Sequence, residues 1–367
     1  MGDLAGVHDS EEVKNLAKEV DKASLERELG GDRDFPPNLH KLQMAAQTAL
    51  AQEVGDERVE QILGDDTTLR GENGESTLFL KWSSYLESLI QEGKDPSIND
   101  FFFYCVAGFH DNHSVEVRNL LDRVEINEKI RRSINTEDSW GERVRNSITC
   151  SLLLLISQND HSDIKLAGEI VSNISEDQDT FEEEWLRSSS KEDRDATVLL
   201  GLYHLAQAVL TTSEFLLSGS VSDDDSFETE FGPELRRLLL RAEEYLSLSS
   251  DLETILWLNS VTIIVEELRA SSTWAQGRGV SQRIDQFLDE LAKEGRAKPI
   301  FSLLPSQQEA LRKNLLDPTR VAVVLQMPTS SGKTLLAEFA ILQAIEAYND
   351  ARVAYVTPTR ALATQAR

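Results

Sequence analysis

The stretch VAVVLQMPTSSGKTLLAEFAILQAIEAYNDARVAYV, Val321 to Val356, decides how this chain is read. Val321 to Leu325 is a short apolar run rich in β-branched residues, the pattern of a buried parallel strand. Leu335 to Ala347 is built from good helix formers. Arg352 to Val356 is a second short apolar run. The order is therefore strand, turn, helix, strand, with Gly332-Lys333-Thr334 at the turn.

A Gly-Lys-Thr triplet between a strand and a helix has a specific physical use. Backbone N–H groups at a helix N-terminus point at an anion, and the helix dipole adds to the attraction. Gly332 lets backbone approach phosphates with no side chain in the way. Lys333 reaches the β- and γ-phosphates as a point charge. Thr334 offers a hydroxyl to Mg²⁺. The common loop has Gly five residues before the second Gly; here that position is Met327.

Three stretches in order carry a family resemblance. Met327–Glu338, MPTSSGKTLLAE, resembles motif I of superfamily 2 helicases of the DEAD/DEAH-box type, in particular the Ski2-like group, where Met or Ala replaces that first Gly. Leu303-Leu304-Pro305-Ser306-Gln307-Gln308-Glu309-Ala310 is similar to the Q-motif region. Pro358-Thr359-Arg360-Ala361-Leu362-Ala363 is similar to motif Ia. The resemblance covers residues 300–367. It implies the start of an α/β RecA-like (P-loop NTPase) domain, with ATP and Mg²⁺ as cofactors. Gln307 then reads adenine, Thr329 supports the loop, and Ser330, Ser331, Gly332, Lys333 and Thr334 cradle the phosphates. Pro358, Thr359 and Arg360 grip the backbone of single-stranded nucleic acid, a contact that positions without reading sequence.

The resemblance also implies parts that these residues do not contain. No Asp-Glu-x-His box follows the loop: its acidic residues are Glu338, Glu346 and Asp350. The chain is therefore expected to be the N-terminal piece of a longer ATP-dependent helicase or translocase, its RecA-like domain truncated, and to be unable to hydrolyse ATP by itself. Two short parallel strands with unpaired edges are an aggregation hazard, so residues 300–367 are expected to be loosely ordered alone.

The preceding region has a different composition. The chain of 367 residues carries 37 Lys and Arg against 64 Asp and Glu, a net charge of −27. From Ala297 onward basic residues number eight and acidic residues five, so all of the excess negative charge lies before residue 297. That asymmetry marks a domain boundary. It excludes a chain that coats nucleic acid with its whole surface, though not a local basic groove. Two cysteines, Cys105 and Cys150, are too few for a disulfide framework and fit a reducing compartment. No cationic leader follows Met1, and no apolar run nears the ~20 residues needed to cross a bilayer. A cytoplasmic location without membrane contact is expected.

Helical periodicity dominates residues 36–296. Helices are expected at Leu39–Val54, Ser76–Ile90, Val144–Ile156, Ile164–Ile174, Ala196–Leu217, Pro233–Leu248, Leu252–Leu268 and Ile284–Leu291, with a weaker one at Glu11–Leu29. Leu152 to Ile156 is a buried-helix fragment. Loops are expected at Gly64–Glu75, Ser157–Asp163, Ser218–Gly232 and Ser271–Gly279. The layout is thus an acidic tail over 1–35, an all-helical accessory domain over 36–270, a connector over 271–299 and the incomplete ATP-binding domain over 300–367. The accessory domain is a place for a protein partner.

Other clusters have plain readings. Cys105, His110 and His113 match no familiar zinc spacing, and a helix with a polar turn at His110–His113 is expected. Phe101-Phe102-Phe103-Tyr104 lacks interleaved cations and belongs in a core. Asp223-Asp224-Asp225 and Glu182-Glu183-Glu184 are solvated. His204 is a core histidine. The alternative to a helicase is a non-catalytic acidic helical interaction protein with a vestigial nucleotide-binding tail. A P-loop ATPase that moves something other than nucleic acid is weaker, because motif Ia has no role without a strand to grip.

Overall fold

The computed structural model describes residues 46–47, 50–51, 78–91, 93–133, 140–176, 193–219, 231–248, 252–296, 298–320, 322–327, 332–348, 352–354 and 356. The chain divides into two compact units, Met1–Arg269 and Ala270–Arg367. The expected helix at Glu11–Leu29, the loop at Gly64–Glu75, and the acidic clusters at 182–184 and 223–225 lie outside the described residues.

The first unit is helical. Its described helices are α1 (Leu78–Gln91), α2 (Ile98–His110), α3 (Ser114–Arg123), α4 (Ile126–Ser133), α5 (Trp140–Ser157), α6 (His161–Glu176), α7 (Asp193–Ser218), α8 (Phe231–Leu246) and α9 (Leu252–Ser271), whose last turn carries the chain into the second unit. Helix α5 is the hub, packed against α2, α3, α4, α6 and α7. Its sequence explains the position: Leu152, Leu153, Leu154, Leu155 and Ile156 are all fully buried, which a helix achieves only when neighbours surround it. Trp257 of α9 donates its indole N–H to Thr149 Oγ1 of α5 at 3.1 Å, so the ring is buried with its polar atom satisfied. Ala51, in the short helical piece at residues 50–51, packs on Ile255 and Leu256 of α9.

Local chemistry fixes the starts and joints. Helix α2 begins with a reciprocal cap: the Asp100 N–H donates to Ser97 Oγ at 3.1 Å, and the Ser97 N–H donates to Asp100 Oδ2 at 2.9 Å. Arg118 of α3 donates to the Ile156 carbonyl at 3.1 Å near the end of α5. Burial lowers its pKa to about 10. Of the run expected in a core, Phe101, Phe102 and Tyr104 are buried and Phe103 is half-buried. Cys105 is fully buried, His110 pairs with Asp111 at 2.8 Å, and His113 stacks on Phe79 at 4.3 Å, so the three side chains have separate surroundings. His204 stacks on Tyr245 at 5.7 Å, but its buried Nδ1 has no hydrogen-bond partner among the described residues, so it departs from a satisfied core histidine.

The second unit holds α10 (Thr273–Gly277), α11 (Gln282–Leu291), α12 (Pro305–Arg312) and α13 (Lys333–Ala347). Helices α11 and α13 pack through the edge-to-face pair Phe287 and Phe339, 5.7 Å apart, and through an ion pair between Arg283 and Glu346 at 3.1 Å.

Several expectations are corrected. The strands expected at Val321–Leu325 and Arg352–Val356 are absent among their described residues, and Val324 and Val356 are 94% and 89% exposed. A strand is held by hydrogen bonds to a neighbour, and the described residues of this unit contain no third run to pair with. The loop at Ser271–Gly279 contains α10, started by Ser272 Oγ accepting from the Trp274 N–H at 3.2 Å. Helix α6 starts at His161 inside the expected loop, and α8 starts at Phe231, before Pro233. Helices α3 and α4 were not expected, because each is short and highly polar. Among the described residues, no helix is long and apolar enough to cross a membrane.

Candidate nucleotide site at the start of the thirteenth helix

Helix α13 begins at Lys333, and Gly332 is its N-cap with φ +72° and ψ +30°. That left-handed conformation is open to glycine and strained for other residues. The N-cap glycine has no side chain to offer the helix, and no acidic residue lies in its first turn. The helix dipole places partial positive charge at this end, which favours an anion. Lys333 and Thr334 are exposed at this end, while Leu335, Leu336 and Phe339 are buried and anchor the helix behind them.

Gln307 reaches this same point from a different segment. It stands in the first turn of α12, where its Oε1 accepts from the Leu304 N–H at 2.8 Å. Leu304 cannot return the bond, so this is one half of a capping box. The other end of the amide donates: Nε2 to the Gly332 carbonyl at 3.0 Å. Gln307 is 3% exposed. A Cβ placed on Gly332 would stand 2.1 Å from Gln307 Nε2. The positive φ favours glycine, and an added Cβ would also oblige the end of the Gln307 side chain to shift.

Of the residues singled out by sequence, the structure brings Gln307 against Gly332 and sets Lys333 and Thr334 beside them. Thr329, Ser330 and Ser331 lie outside the described residues, as do Pro358, Thr359 and Arg360. Among the described residues the Gln307 amide makes these two internal bonds, and its chemistry allows one further donor and one further acceptor contact. Sequence reasoning missed Gln308, 9% exposed, whose Nε2 donates to the Leu303 carbonyl at 3.0 Å. Its doubled amide beside Gln307 was the only signal. Further along α13, burial raises the pKa of Glu338, and the charge of Arg296 opposes that shift.

The groups fit a magnesium nucleotide. The helix start supplies N–H donors and a cation for phosphate, and Thr334 supplies the hard hydroxyl oxygen that Mg²⁺ prefers.

Residues 304–367 match the DEAD/DEAH box helicase family. The chain is also 43% identical over 66 residues to an ATP-dependent DNA helicase, Hel308, of Methanocella arvoryzae. That alignment takes in 18% of this chain and 8% of the relative's length, so the chain spans a small part of the relative it matches.

Proposed function

We propose that residues 303–334 form the ATP-binding face of an ATP-dependent helicase or translocase of the Ski2-like group, within a RecA-like domain. The observation that carries this reading is the seating of Gln307 on Gly332. Two segments 25 residues apart in sequence meet at a helix start with a glycine N-cap, where an adenine reader and a phosphate cradle have to adjoin. The family match over 304–367 supports it.

In this reading Lys333 and the first-turn N–H groups hold the phosphates, with Thr329, Ser330 and Ser331 completing the cradle. Gln307 faces the adenine edge with the one further donor and one further acceptor contact that its chemistry allows. Thr334 would hold Mg²⁺, which would supply positive charge beside the phosphates. Pro358, Thr359 and Arg360 grip single-stranded nucleic acid, and the helical unit is an accessory module. These 367 residues contain no Asp-Glu-x-His box, so by themselves they bind nucleotide without turning it over.

The test is titration of the whole chain with a fluorescent ATP analogue in the presence of Mg²⁺. Lys333→Ala is expected to weaken binding about ten- to a hundredfold, the value of a charge-assisted contact. Equal affinity of the wild type and Lys333→Ala, or no binding by either, contradicts the reading.

A further inference from the structure

Three residues at the joint between α9 and α10, Ser271, Ser272 and Thr273, run antiparallel to Phe301, Ser302 and Leu303. Ser272 and Ser302 form the one bridge between them. The Thr273 N–H donates to the Phe301 carbonyl at 3.0 Å, and the Leu303 N–H donates to the Ser271 carbonyl at 2.8 Å. Thr273 adds its hydroxyl, which donates to the same Phe301 carbonyl at 3.3 Å. The joint is dry: Ser272 and Thr273 are 0% exposed, Phe301 1% and Leu303 2%.

The segment held in this way leads straight to the nucleotide site. Leu303 gives its carbonyl to Gln308 Nε2. Leu304 gives its N–H to Gln307 Oε1, and Gln307 Nε2 then holds the Gly332 carbonyl. Hydrogen bonds and a short run of backbone, buried at Thr273 and Phe301 and part-buried at Leu304 and Gly332, thus join Thr273 to the start of α13. Any shift of Phe301–Leu304 moves Leu304, and with it the amide that seats Gly332.

Thr273 has a particular part in this line. Its backbone bond could be made by any residue except proline. Its hydroxyl uses the second lone pair of the Phe301 carbonyl, in a place where no water competes. Resting on the nucleotide reading above, we propose that Thr273 is a positioning residue for that site. It acts through Phe301 and Gln307 on Gly332, so the joint between α9 and α10 sets nucleotide affinity.

The experiment uses the full chain and methylanthraniloyl-ADP with Mg²⁺, followed by fluorescence. Thr273→Val keeps shape, burial and the backbone bond and removes only the hydroxyl donor. It is expected to weaken binding about three- to tenfold, the scale of one buried hydrogen bond, and Thr273→Ser is expected to restore it to within about twofold. Because Thr273 acts through Gln307, the double variant Thr273→Val/Gln307→Ala is expected to bind no more weakly than Gln307→Ala alone. Circular dichroism reports whether each variant folds. Should Thr273→Val fail to fold, Gln308→Met frees the Leu303 carbonyl from the other side and is held to the same two criteria.

Wild-type affinity in Thr273→Val, or a loss that adds in full to that of Gln307→Ala, overturns the proposal and leaves the nucleotide site standing. No binding by the wild type, or equal binding by Lys333→Ala, removes the site and the proposal with it. The two failures are therefore told apart by the wild-type and Lys333→Ala titrations.

Discussion

At the scale of single residues, Gly332 bears the tightest constraint in the second unit. An alanine there meets both a strained φ and the Gln307 amide at 2.1 Å. Gly332→Ala is expected to lower the local stability of the first turn of α13 by about 1–3 kcal/mol, read by amide exchange. Gln307→Ala clears the space, so the double variant is expected to lose less than the two single losses together. In the first unit, Asp163 is 4% exposed and accepts from Asn127 Nδ2 at 2.7 Å and from the Asn159 N–H at 3.2 Å. Burial first, and the charge of Asp160 second, hold its pKa above the ordinary carboxylate value, against the pull of those two bonds. The folded state therefore keeps a proton that the unfolded chain releases. The resulting stabilisation is fully present below the unfolded pKa and is lost as pH rises through the raised folded value. The stability of the wild type relative to Asp163→Asn is expected to fall with rising pH across that window and to be flat above it, as measured by denaturant unfolding. Asp160 shifts the opposite way, mainly through its bond from Ser162.

At the scale of elements, close approach explains where α7 and α8 meet. A Cβ on Gly201 of α7 would lie 2.5 Å from Leu246 Cγ and 3.3 Å from the Ala242 carbonyl of α8. Phe215 and Phe231 stack at 3.9 Å at the other end of the pair. Gly201→Ala is expected to cost about 1–3 kcal/mol of stability through overpacking, and thermal unfolding checks it. The sequence was most legible where a helix is long and apolar. Leu152 to Ile156 could lie only in a surrounded helix, and α7, α8 and α9 repeat apolar residues at helical spacing. It was least legible in α3 and α4, which are short and whose few buried residues, Val117, Leu120, Leu121, Ile126 and Ile130, stand among charged and polar ones. Val321–Leu325 and Arg352–Val356 misled for a different reason. Their composition suits strands, but strand formation depends on partners elsewhere in the chain, and no local pattern records whether those partners are present.

At the scale of the whole molecule, charge and chemistry are divided along the chain. The excess of acidic residues precedes residue 297, while the candidate site and the match to DEAD/DEAH box helicases fall after it. The site's components could be found from sequence because Gln307, Gly332, Lys333 and Thr334 belong to local motifs. Their meeting could not, because it depends on Gln307 Nε2 reaching a carbonyl 25 residues away. The line from Thr273 through Phe301 to that amide was equally hidden, since its backbone bonds leave no trace in residue type. In the proposed function an anionic nucleotide sits on the start of α13. Hydrogen–deuterium exchange of the full chain, with and without ATP and Mg²⁺, tests it most directly. The expected result is slowed exchange over Gly332–Leu336, lost in Lys333→Ala. Unchanged exchange there at saturating ATP, or protection that persists in Lys333→Ala, would contradict it.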